Sequence, residues 1–359
     1  MSDDKNLKTP RLEINLHKIQ ENARILVENL AVKGISVTGI TKASLGCPKI
    51  AKVLLSAGVN ALGDSRIQNI MRMRNADITA PITLIRTPMM SQIEQVVEHA
   101  TISFNTELDV INALSESAQK VGKNHGIILM LELGDLREGI MPEDIEGIVS
   151  KTLELPNIKF KGIGANLACR SGVVPDAKNM KELSDMANSL DAIFGFKMDI
   201  VSGGNSANLG WALKSLNIGR INNLCLGESF LLGLDPLTRK PIEGLYTSAF
   251  TLMAEIIESK IKPTKPWGKI GQSAFGKFPP IKEQGNISQI LLAIGEQDTD
   301  PSGLTPPLGM EILGASSDHI IVKADKHSIT IGNKISFKPN YAALLRAMTS
   351  PFIEKCFIS

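Results

Sequence analysis

The stretch Ile35–Ser36–Val37–Thr38–Gly39–Ile40, running into Thr41–Lys42–Ala43–Ser44–Leu45–Gly46, decides how the rest of the chain is read. Small and β-branched residues in a short apolar run form a buried strand, and Gly46, Cys47 and Pro48 then break it. Lys42 therefore stands where a strand stops, among apolar neighbours, ahead of the helix-like Pro48–Leu55. A lysine drawn out of water loses pKa and becomes a usable amine for Schiff-base chemistry. A strand-end lysine also snorkels its ammonium to solvent. This stretch alone does not separate the two.

Outward from that strand one unit repeats, a short apolar run followed by an amphipathic helix. Strands are expected at Ala61–Asp64, Ile82–Thr87, Ile102–Phe104, Ile127–Leu133, Phe160–Leu167, Ile200–Ser202 and Asn223–Leu226. Helical spacing marks Leu16–Leu30, Gln92–His99, Glu107–Lys120, Pro142–Leu155 and Met180–Phe194. About eight strands over roughly 200 residues is the count and size of an α/β (β/α)8 TIM barrel. A doubly wound sheet is the alternative, because alternation alone does not close a barrel.

After Gly233–Leu234–Asp235–Pro236 the texture changes to short β-like runs punctuated by Pro and Gly. These are Ser248–Ile257, Ile287–Ile294, Met310–Leu313, His319–Val322, Ser328–Ile331 and Lys334–Phe337, with a closing helix at Tyr341–Met348. The expected organisation is a barrel over 1–240 and a C-terminal mostly-β domain over 241–359. Residues 11–16 alternate weakly as a candidate strand, so 1–16 are open to joining the β domain.

Composition excludes several classes. The 359 residues are 43% hydrophobic and 21% charged with a net charge of +2, which favours neither nucleic acid nor an acidic membrane surface as partner. No apolar run approaches the roughly 20 residues of a membrane span, and Met1–Ser2–Asp3–Asp4–Lys5 does not read as a signal peptide. Cys47, Cys169, Cys225 and Cys356 lie far apart, with no CxxC pair or histidine cluster, so reduced thiols in a cytoplasmic protein are expected and no metal site.

In a barrel the chemistry collects at the carboxyl ends of strands, and phosphate sites favour the loops after strands seven and eight. Here those loops read Ser202–Gly203–Gly204–Asn205–Ser206 and Leu226–Gly227–Glu228–Ser229. Glycines let backbone amides approach an anion, and a helix N-terminus adds a favourable dipole. Either loop alone reads more readily as a tight turn with an N-cap serine. Both at the expected positions favour an anion site. A third strand end carries Leu133–Gly134–Asp135–Leu136–Arg137–Glu138–Gly139, where Arg137 is suited to a forked hydrogen bond with a phenolate or carboxylate, or is a solvated loop charge. An early lysine, a later arginine and two phosphate loops together suggest pyridoxal 5′-phosphate.

In these residues the chain resembles the alanine racemase-type barrel enzymes, the fold type III pyridoxal-phosphate enzymes, and more closely their alanine/ornithine racemase-like branch. The closer likeness rests on Gly63–Asp64–Ser65–Arg66–Ile67–Gln68–Asn69, on the Leu133–Gly139 and Val201–Ser206 stretches, and on Leu226–Phe230. It continues through Ala293–Ile294–Gly295–Glu296–Gln297–Asp298–Thr299–Asp300 and Gly314–Ala315–Ser316–Ser317–Asp318–His319. The resemblance implies that Lys42 carries the cofactor as a Schiff base and that Arg137 faces its phenolate. It also implies a phosphate cup of Ser206, Gly227 and Glu228 (through its backbone amide), reached by Tyr341. Family members are head-to-tail dimers. A homodimer with shared active sites is therefore implied, the 271–278 and 315–319 stretches acting in trans.

Departures from the family pattern are specific. Leu45 and Gly46 stand where alanine racemases carry a tyrosine, Asn166 where they carry a histidine, and Cys225 where an arginine meets the pyridine nitrogen. A thiol gives no fixed charge, and Arg220, five residues earlier, is the alternative cation. No tyrosine occurs in Ile270–Gly271–Gln272–Ser273–Ala274–Phe275–Gly276. The acid/base for the second face is then sought in Asp318 and His319 of the β domain, or Cys169 of the barrel. The expected function is a pyridoxal-phosphate racemase interconverting L and D forms of ornithine or a similar long-chain amino acid. The alternatives are a decarboxylase of this fold, with Glu228 at the pyridine nitrogen, or a non-catalytic pyridoxal-phosphate homeostasis protein, a class without the second β domain.

Overall fold

The computed structural model describes residues 8–273, 275–276, 285–324 and 330–358. Strand β1 (Arg11–Asn15) and helix α1 (Leu16–Ala31) precede the alternating part. There β2 (Ser36–Ile40), α2 (Pro48–Ser56), β3 (Ala61–Asp64), α3 (Ile67–Arg74), β4 (Ile82–Leu84) and α4 (Ile93–His99) follow one another. Next come β5 (Ile102–Asn105), α5 (Leu108–Lys120), β6 (His125–Leu131), α6 (Ile145–Glu154), β7 (Ile158–Ala165) and α7 (Ala177–Phe194). The series ends with β8 (Ile200–Asn205), α8 (Leu209–Lys214), β9 (Asn223–Leu226) and the five-residue α9 (Glu228–Leu232).

Strands β2 to β9 close in sequence order into a parallel barrel, β9 returning to β2 with Val37 opposite Leu224. β6 shows why these segments become strands. It is buried along its whole length and apolar from Gly126 to Leu131, as a parallel strand covered on both faces requires. Ile40, Phe104, Ile128, Met130 and Cys225 pack into one buried cluster. They come from β2, β5, β6 and β9, which can meet only through the barrel lumen. Cys225 therefore faces inward.

The loop after the seventh barrel strand differs from expectation. Ser202–Asn205 is no tight turn: β8 extends through it to Asn205, with a register shift against β9 between Ser202 and Asn205. Gly204, at φ 93, supplies the backbone conformation that this irregularity needs, and a Cβ there would lie 2.8 Å from the Ala165 carbonyl oxygen.

The chain divides into two compact units, one gathering Met1–Leu16 with Ser248–Ser359, the other spanning His17–Thr247. In the first unit lie β10 (Phe250–Pro263), β11 (Asn286–Leu292), β12 (Leu304–Thr305), β13 (Met310–Ala315), β14 (Ile320–Ala324) and β15 (Lys334–Pro339). Helix α10 (Tyr341–Thr349) and strand β16 (Glu354–Ile358) close the chain. The antiparallel order is β12-β15-β10-β11-β14-β13, and β1 adds to β10 while pairing in parallel with β16. The chain thus ends on a strand rather than on the helix at Tyr341. Part of the expected strand Ser328–Ile331 lies outside the described residues, and Ile331–Gly332 form a turn with Gly332 at φ 85. Among the described residues no helix is long and apolar enough to cross a membrane.

Candidate active site

Thr41 follows β2 and Lys42–Ser44 make a single 3-10 turn. The Thr41 carbonyl accepts from Ser44 N (3.0 Å), Gly46 N (3.2 Å) and Ser44 Oγ (2.9 Å). The chain then reverses through Leu45 at φ 54 and Gly46 at φ 61. A leucine in the left-handed region costs about 1–2 kcal/mol, so the surroundings must hold it. They do. Arg72 Nη1 donates to the Leu45 carbonyl at 2.8 Å, and a Cβ on Gly46 would lie 2.6 Å from the Asn69 carbonyl oxygen. Lys42 itself is half-buried.

The Lys42 charge acts on two strand-end neighbours, Cys225 and Glu228. Burial pushes the Cys225 thiol up to about 11, against smaller downward effects of Ser202, Lys42 and Thr38. The thiol is therefore neutral near pH 7 and gives only a weak hydrogen bond. Arg220 does not replace it. Its guanidinium pairs with Asp191 (2.8 Å) and Asn188 (2.7 Å) of α7, outside the barrel wall. Glu228 is raised by burial and lowered by Arg239, with which its carboxylate pairs.

The loops after β8 and β9 converge on one hydroxyl. Ser206 Oγ lies 3.1 Å from Ser229 Oγ and accepts from Gly227 N (3.3 Å) and Ser229 N (3.5 Å). Hydroxyl and amide donors gathered at one point suit a phosphate. From the end of β8, Asn205 Nδ2 donates to three groups just past β7, Asn166 Oδ1 (2.9 Å), Leu167 O (2.7 Å) and Cys169 Sγ (3.3 Å). Asn166 Nδ2 is buried without a partner among the described residues. A buried donor left unpaired costs about 1–3 kcal/mol, and an oxygen acceptor of a bound ligand would relieve it. A half-buried lysine, a hydroxyl–amide cup and an orphan amide donor fit a phosphorylated pyridine aldehyde.

Arg137 lies in the loop after β6 and pairs with its neighbour Glu138 through two hydrogen bonds. Burial lowers its pKa, but Glu138, Cys169 and Asp135 together raise it further. Arg137 and the exposed Cys169 thus share one neighbourhood. Asp135 joins their two loops. Its carboxylate accepts backbone N–H bonds from Cys169 (3.1 Å), Arg170 (2.8 Å), Ser171 (3.1 Å) and Val173 (3.4 Å).

Asp318, His319 and Tyr341 belong to the sheet unit. His319 Nδ1 and Asp318 Oδ1 are 3.0 Å apart, and Ser316 and Ser317 donate to the same oxygen at 3.1 Å each. The Ser317 hydrogen bond is the largest effect holding the Asp318 carboxyl below its ordinary value. Tyr341 opens α10. Of the Ile270–Gly276 stretch, Ala274 lies outside the described residues.

Several residues escaped sequence reasoning. Ser229, Asn205 and Asp135 stand inside the quoted motifs but were given no role, and Arg239 lies outside every motif. The usable signal was position, a polar side chain at or just past the last residue of a barrel strand. Among the described residues no three His, Cys, Asp or Glu side chains gather as a metal ion needs.

The family model described as the alanine racemase N-terminal domain matches residues 14–222. A lysine racemase of Thermotoga maritima is 39% identical over 351 residues, covering 97% of this chain and 98% of that protein. An ornithine racemase of Acetoanaerobium sticklandii is 40% identical over 351 residues, covering 96% and 99%. The crystal structure of alanine racemase from D-cycloserine-producing Streptomyces lavendulae superposes with a TM-score of 0.76 and 98% coverage of each chain. At 16% identity that likeness concerns the fold alone. The match to the barrel and the near-full-length identity to two racemases establish that this chain belongs to the alanine racemase family.

Proposed function

We propose that this protein is a cytoplasmic pyridoxal 5′-phosphate-dependent racemase acting on ornithine, lysine or a similar long-chain amino acid. The observation that carries the reading is Lys42 at the end of β2, its charge acting on Glu228, whose neighbours Gly227 and Ser229 donate to Ser206. The near-full-length relatives named for lysine and ornithine support the substrate class.

The bound cofactor supplies an electron sink that acidifies the Cα–H bond of an attached amino acid. The residues supply the rest. Ser206 Oγ with the amides of Gly227 and Glu228 would hold the phosphate, joined by Tyr341. Arg137 would meet the phenolate oxygen and Asn166 Nδ2 a further acceptor. Cys225 would meet the ring nitrogen as a neutral thiol, leaving its protonation less controlled than arginine would. Lys42 would serve one face of Cα, its amine taking the proton from one enantiomer and its ammonium giving one back to that face when the other enantiomer reacts.

Racemisation needs a second acid/base on the opposite face. Asp318 and His319 are assigned to it, from the partner of a homodimer with shared sites, with Cys169 as the barrel-borne candidate. Held below its ordinary value by the Ser317 hydrogen bond, the Asp318 carboxyl is ionised near pH 7 and is suited there to accept a proton rather than to give one. Engagement of Glu228 by Arg239 speaks against the decarboxylase alternative, which needs that carboxylate at the pyridine nitrogen.

Borohydride reduction of the cofactor-loaded protein is expected to leave a pyridoxyl adduct on the Lys42 peptide. Chiral chromatography should then show D-ornithine or D-lysine formed from the L amino acid, with Lys42→Ala lowering the rate by on the order of 10³-fold or more. An adduct on another lysine, or no D enantiomer from either diamino acid, overturns the proposal.

A further inference from the structure

Asp64 ends β3 with 0% exposure, and no cation pairs with it among the described residues. A buried carboxylate is retained only where hydrogen bonds replace its water. Its Oδ1 accepts from Arg66 N at 3.0 Å and Asn69 Nδ2 at 2.9 Å, both at the start of α3. Its Oδ2 accepts from Thr41 Oγ1 at 2.8 Å. Thr41 immediately precedes Lys42, and its carbonyl is the acceptor on which the Lys42–Gly46 turn closes. The same α3 supplies Arg72 to Leu45 and the Asn69 backbone against Gly46. One buried carboxylate therefore ties the start of α3 to the residue from which Lys42 departs.

We propose that Asp64 is a positioning residue for Lys42, acting through the Thr41 hydroxyl to hold the lysine turn in the geometry for attachment of the cofactor. The Gly63–Asn69 stretch thereby acquires a role that the proposed mechanism does not use. Burial raises the Asp64 carboxyl, whereas Asn69, Thr41 and the Arg66 and Ser65 amides lower it. Burial outweighs those bonds, so the carboxyl stands above its ordinary value.

The inference rests on Lys42 as the attachment residue, and the experiment separates the two. Attachment forms one C=N bond between Lys42 Nζ and the aldehyde carbon, and the aldehyde oxygen leaves as water. Its rate is followed by absorbance after mixing pyridoxal 5′-phosphate with cofactor-free protein. Pyridoxamine 5′-phosphate, which lacks the aldehyde, reports binding without attachment. Thr41→Val keeps the shape and removes the hydroxyl, and Thr41→Ser restores it. The expected result is attachment slowed about tenfold or more in Thr41→Val, with pyridoxamine 5′-phosphate affinity within about twofold of the parent and Thr41→Ser within about threefold. Asp64→Asn, where it folds, is expected to match Thr41→Val. Thr41→Val attaching at the parental rate overturns the inference. So does a parallel loss of affinity for both probes, which marks general loosening of the barrel. Failure of the parental protein to attach the cofactor at Lys42 overturns the proposed function instead.

Discussion

At the residue scale, burial decides which titratable groups can act, and His125 is the clearest case. It is 1% exposed, its Nε2 lies 2.8 Å from Ser103 Oγ, and burial pulls its pKa down to about 4 from 6.5. Between pH 4 and 6.5 the unfolded chain binds a proton at this position that the folded chain refuses. Stability therefore rises with pH across that window, is flat above it, and is lost as pH falls. At 1.36 kcal/mol per pKa unit the loss approaches about 3 kcal/mol near pH 4. His125→Gln keeps a partner for Ser103 and removes the titration. Urea midpoints measured from pH 4 to 8 should fall less steeply toward acid in the variant than in the parent. Parallel curves would show that the imidazole is protonated in the folded state. Cys225 obeys the same physics with the opposite sign, since burial disfavours a thiolate as it disfavours an imidazolium. That is why arginine and cysteine at one barrel position lead to different expectations for the ring nitrogen.

At the scale of elements, the loops above β6 and β7 depend on one another. Asp135 gathers four backbone N–H groups from 169–173, and Leu136 and Ala168 are held at φ 54 and 58 on either side of the contact. Asp135→Asn turns an amide donor toward one pair of those N–H groups, which costs roughly 2 kcal/mol when a donor loses its acceptor. The cost should appear locally. Hydrogen exchange is expected to quicken at 169–173, Cys169 to alkylate faster, and turnover to fall as Arg137 loses its support, while attachment at Lys42 is unchanged. Unaltered exchange at 169–173 would remove Asp135 from the support of Arg137. This clip was not legible in the sequence, whereas the barrel was. Repeated short apolar runs at helix spacing carry the strand periodicity directly, and Lys42 is legible because it interrupts one of them. Asp135 and Asp64 look like loop charges until the fold shows four amides aimed at one and a hydroxyl at the other. The Ser202–Ser206 stretch misled for a related reason. Glycines announce an unusual backbone, but only the register against β9 says whether it is a turn or a bulge. β16 was missed because pairing with β1, far away in sequence, is what makes Glu354–Ile358 a strand.

At the scale of the whole molecule, the assigned chemistry is split between two compact units. Lys42, Arg137 and Ser206 belong to His17–Thr247, whereas Asp318, His319 and Tyr341 belong to the unit that gathers both ends of the chain. Asymmetric proton transfer on two faces of one carbon gives this division a meaning in a dimer. Each chain would then offer a barrel with one face served and a sheet unit able to serve the other face of its partner's barrel. Subunit mixing tests the arrangement by counting sites. Lys42→Ala and the double variant Asp318→Asn/His319→Ala should each be inactive alone. After equal amounts are dissociated and reassociated, about half of the dimers are mixed. In a mixed dimer one barrel lacks its lysine and also meets the defective sheet unit of its partner. The other keeps Lys42 and is served by the intact sheet unit of the Lys42→Ala chain. One site of two is restored, so the mixture should recover about one quarter of parental activity. Sites built within one chain recover nothing, because every chain in the mixture then carries a defect in its own site. Full activity in the Asp318/His319 variant would exclude both residues from the second face and leave Cys169 as its acid/base.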